Sequence, residues 1–328
     1  MGFLNEASYD QENERVAVIM AVYNEIEPWV RASIESILNQ THNNLHLYIV
    51  LDNPHNHILE NVIDEYARSD NRISYFVNER NLGLVKSLNC LLDNVGEEYV
   101  ARMDADDVSY PNRIEKELKF LHEYDLDFVM SGDDLISEDG VVTPGRLLPL
   151  YLTNDMREVQ KYANVSTHPT WLLKSKVYRE LGGYRDIESC EDLDFVLRAL
   201  EWGFGIGRMP DALIQYRLRC SGISYTKSAS QYARARFLHA LYRSGASMKD
   251  PAVQERANSI SVALSPKDLV KAESARRSID ELSMCLYERK WLQCFKIVFP
   301  EIVLNKFFRG MFMDGISARM RISKYGMR

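Results

Sequence analysis

Apolar residues in the first half of the chain follow two rhythms. Short runs rich in β-branched residues read as strands: VAVIMAV (Val16–Val22), LHLYIVLD (Leu45–Asp52), RISYFV (Arg72–Val77), EYVARMD (Glu98–Asp104) and DFVMSGDDLI (Asp127–Ile136). Between them apolar positions recur at helical spacing. PWVRASIESILNQ places Val30, Ile34, Ile37 and Leu38 on one face, and ILENVIDEYARS, GLVKSLNCLLDNV and PNRIEKELKFLHEY read the same way, the last with Pro111 in its first turn. After about Pro149 the alternation weakens. A helical DMREVQKYA leads to NVSTHPTWLLKSKVYRELGGYRD and then to ESCEDLDFVLRALEWGFG, in which Asp194 is a candidate helix start; beyond Ser224 the pattern is helical throughout.

Strands alternating with helices predict an α/β fold, a mostly parallel, Rossmann-like sheet with helices on both faces, followed by a helical C-terminal extension. Ligands of such sheets bind beyond the carboxyl ends of the strands. That rule singles out Tyr23-Asn24-Glu25, Asp52-Asn53, Glu79-Arg80-Asn81 and Asp104 to Asp107, each just past a strand.

The last of these loops holds Asp104, Asp106 and Asp107 within four positions. Taken alone, it reads as a divalent-metal site, a phosphatase-like nucleophile or a solvated turn before a helix N-terminus, where acids are favoured. An EF-hand loop is excluded by the missing Gly and distal Glu. A haloacid-phosphatase motif belongs on the first strand, whereas this one ends the fourth. Magnesium and manganese favour one or two carboxylates plus phosphate oxygens, so the metal reading suits a nucleotide diphosphate. A second acidic group, Glu191-Asp192, opens the pattern EDLDFVLRAL.

Composition narrows the classes. With 328 residues, 46% of them hydrophobic, the chain is long enough for one large domain or a domain plus an extension. A net charge of −7 argues against nucleic-acid binding, but the charge is uneven. Cys285 to Arg328 carries nine Lys/Arg against three acids, so this tail is +6 and the remainder −13. Five scattered cysteines without CxxC spacing suggest neither a disulfide framework nor structural zinc. The polar N-terminus lacks the core of a signal peptide, and no apolar run approaches the roughly 18 residues of a membrane span, so a reduced, cytoplasmic protein is expected.

Six segments, VAVIMAVYNE, YIVLDN, RNLGLVKSLN, ARMDADD, THPTWLLKSKVYRELGGYRD and CEDLDFVLRAL, occur in this order from about Val16 to Ser224. Together they closely resemble the inverting glycosyltransferases of family two, of bacterial polysaccharide and O-antigen type, which have the GT-A fold. The resemblance implies a metal-dependent transfer of sugar from a nucleotide sugar, a UDP-sugar such as UDP-Gal, UDP-Glc or UDP-GlcNAc, to a hydroxyl of a glycan carried on a polyprenyl diphosphate lipid. It implies that Tyr23, Asn24 and Glu25 line the base pocket, that Asp52 hydrogen-bonds uracil, and that Asn81, Gly83 and Lys86 wrap the nucleoside and approach the diphosphate. Asp104 would lie near ribose and metal, Asp106 would ligate Mn2+ or Mg2+ directly with Asp107 in support, and Asp192 would be the general base with Glu191 beside it. His168 and Trp171 fall on the acceptor side. QYRLRCSGISYT resembles a segment that closes over the diphosphate, with Arg217 and Arg219 as phosphate contacts.

Plainer readings stand beside these. Asn81-Leu82-Gly83 also reads as a tight turn, Lys86 as a solvated helix residue, Asp52 as a cap for the next helix, His168 as a buried, satisfied histidine, and Glu191-Asp192 as an acid-rich helix start. One departure is evident: the second-strand motif of the family continues with a second Asp and Gly-Ser, whereas this chain reads Asn53-Pro54-His55-Asn56-His57. A nucleotidyltransferase would need a Gly-rich loop after the first strand, and AVYNEIEPWV has none. A non-catalytic nucleotide-sugar-binding GT-A protein is the remaining alternative.

The organisation expected is a polar tail (1–14), a catalytic domain (15–224, with a nucleotide half 15–108 and an acceptor half 109–224) and a helical extension (225–328). Aromatic and aliphatic residues interleave with Lys and Arg in the extension, as in helices lying on an anionic membrane or in an ordinary packing element with a basic face. Peripheral contact with the cytoplasmic face of the inner membrane would bring the cleft to a lipid-linked acceptor.

Overall fold

The computed structural model describes residues 14–145, 148–219 and 228–260, then a discontinuous set of positions between 265 and 313. The N-terminal tail to Asn13, residues 220–227 with the latter part of QYRLRCSGISYT, the segment expected to close over the diphosphate, Cys285 and the tail cations at 289, 290, 306 and 319–328 lie outside the described residues.

The elements begin with β1 (Val16–Val22), α1 (Glu27–Leu38), β2 (Leu45–Leu51), α2 (His57–Ser69), β3 (Ile73–Val77), α3 (Leu84–Leu92) and β4 (Tyr99–Asp104). Next come β5 (Val108–Ser109), α4 (Arg113–Glu123), β6 (Phe128–Ile136), β7 (Val142–Thr143), α5 (Thr153–Val159), β8 (Trp171–Lys174), α6 (Ser175–Leu181) and α7 (Glu191–Trp202). The strand β9 (Ile206–Arg217) and helices α8 (Ser228–Arg243), α9 (Ala252–Ser259) and α10 (Trp291–Leu304) follow. They form two compact units. One comprises Met1–Leu152, Ser166–Tyr184 and Phe204–Arg217; the other comprises Thr153–Val165, Arg185–Gly203 and Leu218–Arg328.

The first unit is built on one sheet of order β3-β2-β1-β4-β8-β6-β9-β5, with β7 paired to β6. Pairings among β1 to β4 are parallel. The short β8 then runs antiparallel to both β4 and β6, while β6 and β9 are parallel. The sheet is therefore mixed, and its parallel half is the part that the strand-helix alternation predicts. Val16, Val18, Met20 and Val22 join side chains of α1, α2 and α4 in the main core, while the alternate residues Ala17 and Ile19 are equally buried and α3 packs against β1 and β2. Burial on both faces is why β1 reads as an unbroken apolar run.

Pro111 lies ahead of α4, whose N-cap is Asn112, because the Pro111 carbonyl accepts a hydrogen bond from Thr41 N at 2.8 Å. Helix α4 carries a wholly buried ion pair, Arg113 Nε with Glu117 at 3.1 Å. The other end of Arg113 donates to the carbonyls of Arg102, in β4, and Trp171, in β8, at 2.9 and 3.1 Å. Burial pushes the Glu117 carboxyl up, opposed by the Arg113 charge.

In the second unit, α7 starts at Glu191, three residues before Asp194. Asp194 is instead buried in its first turn between Arg185 and Arg198, with Nε distances of 3.0 and 2.8 Å. Ile187, Leu193, Leu197, Leu238, Met248 and Val253 form a core that unites α7, α8 and α9. The helical character expected past residue 225 holds for α8, α9 and α10. Among the described residues no helix is long and apolar enough to cross a membrane.

Arg113→Met removes both carbonyl partners and strands Glu117, and is expected to lower the unfolding free energy by about 3–5 kcal/mol in urea titrations. Adding Glu117→Gln to Arg113→Met should recover part of that loss, since it removes the unpaired carboxyl.

Candidate active site

Because β3, β2, β1 and β4 are adjacent and parallel, the loops that follow them leave from one edge of the sheet. Tyr23 to Glu25, Asp52 to His57, Asn78 to Gly83 and Asp104 to Asp107 are brought to that edge.

Asp52 faces inward. Its Oδ1 accepts from Asn78 Nδ2 at 2.7 Å and Leu82 N at 2.8 Å, and its Oδ2 from Gly83 N at 2.8 Å. Asn78 is buried and also donates to Ser87 Oγ at 2.9 Å. The carboxylate thus clasps the turn that starts α3, where Gly83 has φ +85°, a left-handed conformation that favours glycine. Asn81 Oδ1 accepts from Gly83 N at 3.0 Å, and Lys86 is exposed on the following helix. Asp52 does not cap α2; Asn56 does, accepting from Leu59 N at 3.2 Å.

The departing segment Asn53–His57 has a clear local role. Asn53 Nδ2 donates to Asn24 Oδ1 at 2.7 Å, and Asn56 Nδ2 lies 3.4 Å from both Asn24 Oδ1 and the Tyr23 carbonyl. Glu25 accepts from Tyr23 N at 2.7 Å, leaving the Tyr23 side chain 43% exposed. Amides therefore tie the β1 loop to the β2 loop.

The three aspartates of the β4 loop are held differently. Asp104 pairs with Arg102, and its carbonyl accepts from Ser33 Oγ at 2.8 Å. Asp106 is buried, and its carbonyl accepts from Arg217 Nε at 2.6 Å. Asp107 Oδ1 accepts from Arg217 N at 2.7 Å, whereas its buried Oδ2 has no hydrogen-bond partner among the described residues. Burial, then the charges of Asp106 and Asp104, push the Asp107 carboxyl well up. Arg217 is itself buried: Nη1 donates to the Ser137 carbonyl at 2.9 Å and the guanidinium lies 4.9 Å from the centre of the Trp29 ring. It braces the loop from β9.

Among the described residues, no group of three or more His, Cys, Asp or Glu side chains forms a closed metal cage. The donor set suits an open site, in which a cation held by carboxylates completes its shell with phosphate and water oxygens. The orphaned Asp107 Oδ2 and the clustered charges are what a divalent cation nearby would relieve.

Trp171, expected on the acceptor side, is fully buried among Phe128, His168 and Tyr184, with Nε1 donating to Ser166 Oγ at 2.8 Å, so it packs within the core. His168 is half-buried and hydrogen-bonds the Tyr184 hydroxyl at 2.8 Å; burial, then the Arg102 charge, lower its pKa well below the ordinary histidine value. The satisfied-histidine reading describes it. Two residues of this region escaped the sequence reading: Asn78, a polar residue closing a strand, and Arg102, a charge inside an apolar run.

In the second unit, Glu191 and Asp192 occupy the first turn of α7, where the helix N-terminus favours negative charge. Both are half-buried, and Asp192 Oδ2 accepts from Asn164 Nδ2 at 3.2 Å. With Asp194 neutralised by two arginines, the helix start separates a structural acid from two accessible ones.

Comparison with known proteins agrees with this arrangement. A family model described as glycosyl transferase family 2 matches residues 17–182. An uncharacterized glycosyltransferase of Methanocaldococcus jannaschii is 34% identical over 213 residues, 64% of this chain and 72% of that protein. The O-antigen biosynthesis glycosyltransferase WbnJ of Escherichia coli is 30% identical over 233 residues, 69% and 89% of the two chains. The crystal structure of residues 1–349 of Staphylococcus aureus TarS in complex with UDP-GlcNAc superposes with a TM-score of 0.56 at 17% identity, covering 95% of this chain and 91% of that one, a likeness of fold that identifies the GT-A arrangement. A parallel edge that gathers four polar loops, within a span matched over half the chain, makes this protein a glycosyltransferase of family 2.

Proposed function

We propose that the protein transfers a sugar, with inversion, from a UDP-sugar to a hydroxyl of a lipid-linked glycan intermediate in surface polysaccharide or O-antigen assembly. The observation that carries this reading is the convergence of Asp104, Asp106 and Asp107 on the same sheet edge as the Asp52 clasp and the Asn24–Asn53 bridge. UDP-GlcNAc bound to TarS and the O-antigen role of WbnJ support the donor and the pathway class.

In this reading Tyr23, Asn24 and Glu25 border the base, Asn81, Gly83 and Lys86 border the nucleoside and diphosphate, and Asp52 acts by holding their turn. Asp106 and Asp104 would hold Mn2+ or Mg2+, with Asp107 in support. The ion's chemistry is to neutralise the leaving diphosphate. Asp192 would take the proton of the acceptor hydroxyl, with Glu191 beside it; a hydroxyl is a poor nucleophile at neutral pH without such a base. Residues 15–224 are assigned the catalytic work. The extension 225–328, whose end carries nine cations against three acids, is assigned contact with anionic lipid on the cytoplasmic side.

UDP titrated calorimetrically into the protein should bind more tightly with Mn2+ than with EDTA, and Asp106→Asn should abolish the difference. Equal affinity in both conditions would contradict the metal assignment. Asp192→Asn should cut transfer by about 10²–10⁴-fold, the usual contribution of a general base, while UDP binding stays within about twofold. Full activity in that variant would remove Asp192 from the role. The whole chain should sediment with vesicles containing phosphatidylglycerol and be released by salt, but not with neutral phosphatidylcholine vesicles.

A further inference from the structure

Arg102 lies in the middle of an otherwise apolar strand, and its side chain is 0% exposed. A guanidinium so enclosed needs its donors satisfied and its charge met, because an unpaired buried charge costs several kcal/mol. Its Nη1 donates to the Met103 carbonyl and its Nη2 to Asp104 Oδ1, while among the described residues its buried Nε has no hydrogen-bond partner. Among the described residues, Asp104 is the carboxylate that pairs with it, and the Asp107 carboxyl also feels its charge. His168 is held neutral by burial and by Arg102 itself, and burial raises the Tyr178 hydroxyl further from ionisation. Tyr184 is hydrogen-bonded to both, each at 2.8 Å. These neutral aromatics, with Trp171 stacked on Tyr184, close the space on the inner side. The Asp104 side chain, by contrast, is 30% exposed. The guanidinium engages Oδ1 of Asp104, and among the described residues no hydrogen bond reaches Oδ2.

We propose that Arg102 is a positioning residue that fixes the Asp104 carboxylate by one oxygen and so presents the other to the metal-bound nucleotide. Alternation along a strand puts residues 102 and 104 on the same face, so the aspartate next in register is the one the guanidinium reaches. Arginine suits the role because its planar fork grips a backbone carbonyl and a carboxylate together, which a lysine ammonium on a flexible stem does not reproduce. Arg113, which donates to the Arg102 carbonyl at 2.9 Å, holds the strand from which the fork projects. The proposal rests on the assignment of Asp104 to the donor and metal site.

The test is calorimetric binding of UDP to the full chain, with Mn2+ and with EDTA, for wild type, Arg102→Met, Arg102→Lys, Asp104→Asn and the Arg102→Met/Asp104→Asn double variant. Arg102→Met should weaken Mn2+-dependent UDP binding by about 10–100-fold, the range for losing a group that orients a ligand residue. Its affinity in EDTA should stay within about twofold. The double variant should bind no more weakly than Asp104→Asn alone, since the two act as one unit. A merely structural arginine would lower both affinities together and add to the Asp104 variant, and either result overturns the proposal. Should Arg102→Met fail to fold, Arg102→Lys decides: it keeps the charge without the fork, and Mn2+-dependent affinity equal to wild type overturns the proposal. Wild-type protein that binds UDP no better with Mn2+ than with EDTA overturns the donor-site assignment and this proposal with it. That failure appears in the wild-type arm, before any variant is read.

Discussion

The sheet changes direction between β4 and β8, and the buried guanidinium of Arg113 holds that seam. Parallel strands end at β4, an antiparallel strand of four residues follows, and Arg113 donates to one carbonyl on each. A four-residue strand offers few ladder hydrogen bonds, so a side chain joining both strands matters more here than elsewhere. The same residue opens α4, which follows the acidic loop after the short strand β5, so the chain leaving the loop is anchored by the contact that closes the seam. Glu117, one turn along the helix, keeps that charge from standing alone.

From this anchor follows a way for three carboxylates to share one short loop. Each meets its neighbours' charge differently. Asp104 is paired, Asp107 is buried with its carboxyl pushed up, and Asp106 is fixed through its backbone by Arg217. The loop is held by arginines approaching from two strands, β4 and β9, neither of which places its charge in solvent. Loop rigidity therefore comes from the sheet, which suits a site that must hold an anionic ligand in one orientation.

Much of this was legible in the chain. Strands β1 to β4 and their helices announce themselves because a parallel strand covered on both faces must be apolar throughout, and the loops that follow them fall at one edge by topology alone. Strand β8 was not legible: WLLK is too short to show a period, and its partners lie far off in sequence. The interleaving of the two units has no local signature either, since its crossings fall beside core residues such as Val165, Tyr184 and Phe204 that look like any other apolar position. Among site residues, a carboxylate at a strand end has the same sequence whether it faces a ligand or the amides of its own loops. Asp52 reads as a ligand contact, and its carboxylate also holds the turn before α3; Trp171 reads as part of a cleft and is buried in the core. Arg102 was overlooked because apolar periodicity treats a charge within a strand as an interruption, although two residues on it finds a partner.

The amide bridge from Asn24 to Asn53 and Asn56 has a bearing on altering this protein. Two loops far apart in sequence share one set of hydrogen bonds, so their side chains are not independent variables. A library that varies Tyr23 to Glu25 while fixing Asn53 to His57 would sample mostly broken bridges, and beneficial changes in one loop would depend on the state of the other. Redesign of this rim has to exchange both loops as a single block, with the amides as its joint.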